Sequence, residues 1–285
     1  MSAAGQTRFT GTAGNQLVAD IHGEGAPVLL LHGGGQTRHA WGGAARSLAG
    51  RGWRTYSLDQ RGHGDSDWVA SGAYHFADYA GDLCAVAGAV RDELGMAPVV
   101  IGASLGGLAA MLAQHEAPDL VRALILVDVT PRMEAQGVDR ILSFMGENMG
   151  DGFASMEEAA EAVAAYLPHR TRPVNPVGLA KNLRRSPDGR LRWHWDPAFL
   201  TAQSAAMQDY RETEQSLVNA ARTISCPALL VRGAMSDLVS PELAEEFLNM
   251  VPHAEFADVR NAGHMVAGDE NDVFIDALEG FMSRL

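Results

Sequence analysis

The sequence predicts an α/β fold: a mostly parallel sheet of eight strands with helices on both faces, interrupted once by a helical insertion. Three observations carry this. Short apolar runs and helix-spaced segments alternate from residue 27 to residue 129 in the order β-α-β-α-β-α-β. The runs are nearly all apolar, as strands covered on both faces must be. At Pro131 the strand runs cease, and the alternation resumes only after Ala221.

Taken in order, Arg8–Thr12 and Gln16–Ile21 flank the turn Ala13-Gly14-Asn15 and read as an antiparallel hairpin at a sheet edge. Pro27–Leu31 is a buried strand ending in His32-Gly33-Gly34-Gly35. A helix begins near Ala40-Trp41 and runs to Ala49, where Gly50-Arg51-Gly52 stops it. Trp53–Leu58 is the next strand. It leads into the polar loop Asp59-Gln60-Arg61-Gly62-His63-Gly64-Asp65-Ser66. Phe76–Leu94 carries Phe76, Tyr79, Leu83, Val86, Val90 and Leu94 on one helical face. Pro98–Ile101 is a strand, Leu105–His115 a helix and Arg122–Val129 a strand. The insertion, 131–221, shows helical stretches at Met156–Tyr166 and Pro197–Tyr210 and no strong strand run. Its aromatics, including Phe144, Phe153 and Phe199, mark a folded subdomain and not a linker. Strand Ala228–Val231, helix Pro241–Met250, strand Ala254–Val259 and helix Asp269–Leu285 complete the chain. Residues 1–130 and 222–285 thus make one core domain and 131–221 a second, smaller unit.

The chain has 285 residues, 47% hydrophobic and 20% charged, with a net charge of −13. That balance suits a soluble globular protein and argues against nucleic acid or an anionic membrane, whose phosphates it would repel. Cys84 and Cys226 form no metal-binding or redox spacing. Residues 1–12 lack the apolar core of a signal peptide, and no 18-residue apolar run exists. The expectation is a cytoplasmic protein, with homo-oligomerisation left open.

Ligands of open parallel sheets sit at the carboxyl ends of the strands, so reactive residues just past those ends carry weight. Ser104 lies in Gly102-Ala103-Ser104-Leu105-Gly106, between a strand and a helix. Glycines two before and two after a serine let the backbone turn sharply and push the hydroxyl off the sheet. A serine hydroxyl needs a base. His264 follows the last strand, behind Gly263. Asp237 follows Ala228–Val231, in Gly233-Ala234-Met235-Ser236-Asp237, where a carboxylate could orient the imidazole. The amides of Gly34 and Leu105 are the candidate oxyanion donors.

Together these motifs resemble the α/β-hydrolase fold family, over nearly the whole chain outside the insertion. The resemblance implies an eight-stranded α/β-hydrolase sheet, a Ser104–Asp237–His264 triad, and a cap formed by 131–221. Asp128, after Leu124–Val127, is the rival acid, since some members of the family place it there. His32 and His63 read as structural hydrogen-bonders of their loops, whereas His194 fits equally a substrate contact and cap packing. Trp193, Trp195 and Met265 are the candidate pocket residues, and Met145 is a gap-filler or part of a pliable pocket.

The expected activity is cleavage of a small or medium carboxylic ester or lactone through an acyl-enzyme, with neither metal nor organic cofactor. Carbon–carbon bond hydrolases and cofactor-free perhydrolases of the same fold are alternatives. Met265 where the former often carry Trp, and Gly34 where the latter often carry an aromatic, count against both. A ligand receptor on a hydrolase scaffold is the non-enzymatic alternative.

Overall fold

The computed structural model describes residues 5–166, 176–208, 210–260, 262–263 and 271–285. The first strands are β1 (Gly5–Thr10), β2 (Gln16–His22) and β3 (Ala26–Leu31), followed by helix α1 (Gly42–Ala49) and β4 (Trp53–Leu58). Helix α2 (Phe76–Leu94), β5 (Val99–Ala103), α3 (Leu105–Glu116) and β6 (Ala123–Val127) come next. After the insertion the chain forms β9 (Ala228–Gly233), α8 (Pro241–Met250), β10 (Glu255–Val259) and α9 (Asn271–Met282). The eight strands make one sheet in the order β1-β2-β4-β3-β5-β6-β9-β10. Within it the β1–β2 and β2–β4 pairings are antiparallel and the others parallel.

Strand side chains alternate faces, and the buried residues divide accordingly. Leu29, Leu31, Val100, Leu124, Leu126 and Leu230 face the core shared with α2 and α3. Val28, Leu30, Val99, Ile101, Ile125, Val127 and Val231 face the core shared with α1 and α9. Two-sided burial explains why these strands are continuous apolar runs. From β3 the chain first moves to β4 on one side, and β5 then lies on the other. The carboxyl end of β3 is therefore a topological switch point, where a crevice opens.

The loop after β4 is held there by a buried ion pair. The Arg61 guanidinium forks onto Asp82 of α2, at 2.7 Å to Oδ2 and 2.6 Å to Oδ1. Asp59 accepts from the Arg38 amide at 2.6 Å and the Asp65 amide at 2.8 Å, closing the loop on itself.

The insertion contains α4 (Ala135–Gly146), α5 (Met156–Tyr166), α6 (Pro197–Gln208) and α7 (Tyr210–Arg222). It also contains strands β7 (Leu183–Arg185) and β8 (Leu191–Trp193), paired as a hairpin, where no strand was expected. The turn Ser186-Pro187-Asp188-Gly189 closes it, with Gly189 at φ +82° and its amide donating to the Ser186 carbonyl at 2.9 Å. Strands of three residues fall below what apolar periodicity can detect. The expected helix from Pro197 to Tyr210 corresponds to α6, Pro197–Gln208, with residue 209 outside the described residues. Helix α7 packs its buried Leu217, Ala220 and Ala221 into the core that α3 shares. Among the described residues, no helix is long and apolar enough to cross a membrane.

Candidate active site

Ser104 sits at the sharp turn between β5 and α3 with φ +46° and ψ −116°. Non-glycine residues rarely adopt positive φ, and holding one there costs about 1–3 kcal/mol, typically at functional positions. The packing enforces the turn. A Cβ on Gly102 would stand 2.5 Å from the Gly106 carbonyl oxygen, and one on Gly106 would stand 2.6 Å from the Leu31 Cβ. Both positions demand glycine. Leu105 is the first residue of α3, whose leading amides have no partner within the helix.

The turn Gly33–Gln36 abuts the serine, since a Cβ on Gly33 would lie 3.3 Å from Ser104 Cβ. The Gln36 amide donates to the Gly33 carbonyl at 3.2 Å, and Gly35 takes φ +73°. The Gly33 amide donates to Gln36 Oε1 (3.2 Å), and the Gly35 amide to His63 Nε2 (3.1 Å). The Gly34 amide has no partner among the described residues. His32, beneath the turn, offers Nδ1–H to the Gly33 carbonyl (2.7 Å) and accepts the Gln60 amide at Nε2 (3.1 Å). Burial lowers its pKa from 6.5 to about 4, and burial with His32 nearby lowers that of His63 to about 3. Both imidazoles are neutral scaffolding, in keeping with their reading as structural.

The two candidate acids differ sharply in setting. Asp128 follows β6, fully buried, with φ +50°. Its Oδ1 accepts the Gly233 amide at 3.0 Å and its Oδ2 accepts the Ser236 hydroxyl at 2.6 Å. It also neighbours the serine, because the Ser104 amide donates to the Val127 carbonyl at 3.3 Å. Asp237 instead turns outward, its side chain 40% exposed and paired with Arg140 Nη1 at 2.9 Å. The geometry therefore brings Asp128, and not Asp237, beside Ser104. The Ser236 amide bonds back to the Gly233 carbonyl at 2.9 Å, and this tight turn points residue 236 inward and residue 237 away. His264 and Met265 lie outside the described residues. The chain just before them passes close to Asp128's partner: a Cβ on Gly233 would meet the Gly263 carbonyl oxygen at 2.3 Å.

The insertion supplies a wall over the glycine turn. Phe199 lies against Gly34, 3.2 Å from where a Cβ would stand, and Met145 and Trp195 lie against Gly35 at 3.0 and 3.2 Å. Trp195 stacks on Trp193 with ring centroids 4.9 Å apart. Trp193 packs onward against Phe153 and Phe144. Trp195 thus reaches the turn directly and Trp193 backs it. Phe199 was missed as a site residue, because nothing in a sequence tells a pocket phenylalanine from a core one. Among the described residues, no group of three or more His, Cys, Asp or Glu side chains is placed to hold a metal ion.

Comparison with known proteins bears on the fold and the family. A family model described as alpha/beta hydrolase fold matches residues 26–270. An esterase of Mycobacterium tuberculosis is 30% identical over 269 residues, covering 91% of this chain and 84% of the esterase. A 2-(acetamidomethylene)succinate hydrolase of Mesorhizobium japonicum is 31% identical over 263 residues, covering 91% of this chain and 89% of its own. A crystal structure of E-2-(acetamidomethylene)succinate hydrolase superposes with a TM-score of 0.83 at 26% identity, covering 99% of this chain and all of the other. The chain belongs to the alpha/beta hydrolase fold family and is a hydrolase of that fold.

Proposed function

We propose that the protein is a serine hydrolase that cleaves a small or medium carboxylic ester or lactone through an acyl-enzyme. Ser104 Oγ attacks the carbonyl carbon. His264 takes the serine proton, returns it to the leaving alkoxide, and then activates the water that releases the acid. The amides of Gly34 and Leu105 hold the oxyanion. Asp128, rather than Asp237, orients the imidazole and stabilises its charged form. The single observation that carries the reading is the strained Ser104 against a glycine turn with an uncommitted amide. Residues 131–221 act as the cap over this site, and residues 1–130 with 222–285 form the core. Trp195, Trp193 and Met265 belong to the pocket, joined by Phe199 and Met145. Neither metal nor organic cofactor takes part in these steps.

The esterase relative supports an ester, and the 2-(acetamidomethylene)succinate hydrolase adds an acylated dicarboxylate to the substrates worth screening. The decisive experiment follows turnover of p-nitrophenyl esters of graded chain length, with lactones in parallel, by wild type and Ser104→Ala. Wild-type turnover that Ser104→Ala abolishes, together with a fluorophosphonate adduct on Ser104, is the expected result. Turnover surviving in Ser104→Ala places the nucleophile elsewhere, and a single stoichiometric burst identifies a receptor instead.

A further inference from the structure

His194 directly follows strand β8, in the insertion, and is 1% exposed. Its Nδ1 lies 2.7 Å from the Gly64 amide, which can only donate, so Nδ1 is an acceptor and the proton sits on Nε2. Nε2–H then donates to the Gly35 carbonyl at 3.2 Å. Gly35 passes the direction on: its own amide donates to His63 Nε2 at 3.1 Å, and His63 Nδ1–H donates to the Arg61 carbonyl at 2.9 Å. Four hydrogen bonds thus run head to tail, from the loop 61–64 through His194, Gly35 and His63 back to the same loop. The circuit closes only if both imidazoles are neutral and in opposite tautomers. Burial lowers the pKa of both, so the required state is the populated one.

Gly35 is gripped from two directions: its amide by the core through His63, its carbonyl by the insertion through His194. The peptide on either side of Gly35 belongs to the turn that carries the Gly34 amide. The insertion is anchored to the same loop nearby, where the Asp196 amide donates to the Gly62 carbonyl at 2.9 Å and Tyr74 Oη–H donates to Asp196 Oδ2 at 2.5 Å. We infer that His194 is a positioning residue for the oxyanion turn, so that the orientation of the Gly34 amide depends on the insertion being seated on the core. The inference rests on the hydrolase reading of Ser104 only for its kinetic consequences.

A glutamine side chain can replace both contacts, its amide oxygen accepting from Gly64 and its amide nitrogen donating to Gly35, whereas leucine replaces neither. In steady-state hydrolysis of p-nitrophenyl butyrate, His194→Leu should lower kcat by about 10- to 100-fold, since misplacing an oxyanion donor costs less than deleting one. KM should stay within about threefold, and a boronic acid that mimics the tetrahedral adduct should lose affinity in parallel. His194→Gln should restore kcat to within about fivefold of wild type. Hydrogen exchange at Gly35, whose amide is held by His63, should accelerate in His194→Leu and not in His194→Gln. Should the leucine variant fail to fold, His194→Asn, whose shorter amide cannot span both partners, takes its place. Equal kcat in all variants, equal loss in the Leu and Gln variants, or a loss confined to KM would overturn the proposal. Absence of wild-type turnover would overturn the hydrolase reading alone, and the exchange rates would still decide the positioning role.

Discussion

The carboxyl ends of β6 and β9 each present an aspartate, and the two could hardly be set more differently. Asp128 is sealed from water and receives the Gly233 amide and the Ser236 hydroxyl. Asp237, one residue beyond Ser236, is half in solvent and shares its charge with Arg140, whose guanidinium also donates to the Tyr166 carbonyl at 2.5 Å. A buried carboxylate keeps its charge only if hydrogen bonds replace the lost water. The Ser236 hydroxyl is built for that: it accepts the Leu238 and Val239 amides, each at 3.1 Å, so its own proton is directed at Asp128. The β9 loop thus supports the aspartate of the neighbouring strand, the acid in the proposed mechanism. The contrast shows that two aspartates at neighbouring strand ends can differ wholly in burial and partners.

Asp128→Asn tests this contrast most severely. An imidazole that loses its carboxylate partner takes the wrong tautomer, and kcat should fall by about 10³-fold or more with the fold intact. An Asp128→Asn enzyme within tenfold of wild type would return the role to Asp237.

Acid is the next largest perturbation. An unfolded chain protonates its histidines below the ordinary 6.5, whereas the folded chain protonates His32 only below about 4 and His63 only below about 3. The unfolded state therefore binds more protons across that window, and stability falls as pH drops from 6.5 towards 4. Each histidine should cost about 1.4 kcal/mol per pH unit. Thermal midpoints measured from pH 7 to 5 should decline steadily, and a flat profile would show that these imidazoles are not held neutral. Activity profiles of the two aspartate variants are cleanest above this range.

Ser236→Ala removes one hydrogen bond from Asp128 and leaves two amides short of an acceptor. A loss of about 1–3 kcal/mol in stability, with a drop of about tenfold in kcat, is expected, and Ser236→Thr should recover most of both. If Ser236→Ala is silent, the buried carboxylate draws its support from elsewhere. Asp237→Asn should do least: an exposed ion pair is worth about 0–1 kcal/mol, so kcat should stay within about twofold of wild type and the thermal midpoint should barely move. A large kinetic defect in that variant would break the comparison outright.

Much of this molecule is legible in its sequence. The parallel sheet was, because two-sided burial forces strands such as Pro27–Leu31 and Ala123–Val127 to be apolar throughout, and apolar runs survive inspection one residue at a time. The serine turn was too, since Gly102 and Gly106 are dictated by clashes with atoms that any chain bending there would meet. The hairpin β7–β8 was not, although Pro187-Asp188-Gly189 signals its turn, because strands of three residues carry too little pattern.

Local sequence thus determined the sheet, the glycine turns and the strand ends where chemistry can gather. Only the tertiary structure decided which aspartate is sealed beside Ser104, that Phe199 and Met145 wall the glycine turn, and that His194 reaches across from the insertion to Gly35. The physical reason is the range of the interactions. A turn or a buried strand is specified by neighbours within a few residues. Burial of a carboxylate, or a hydrogen bond between residues 159 positions apart, depends on how separate elements pack.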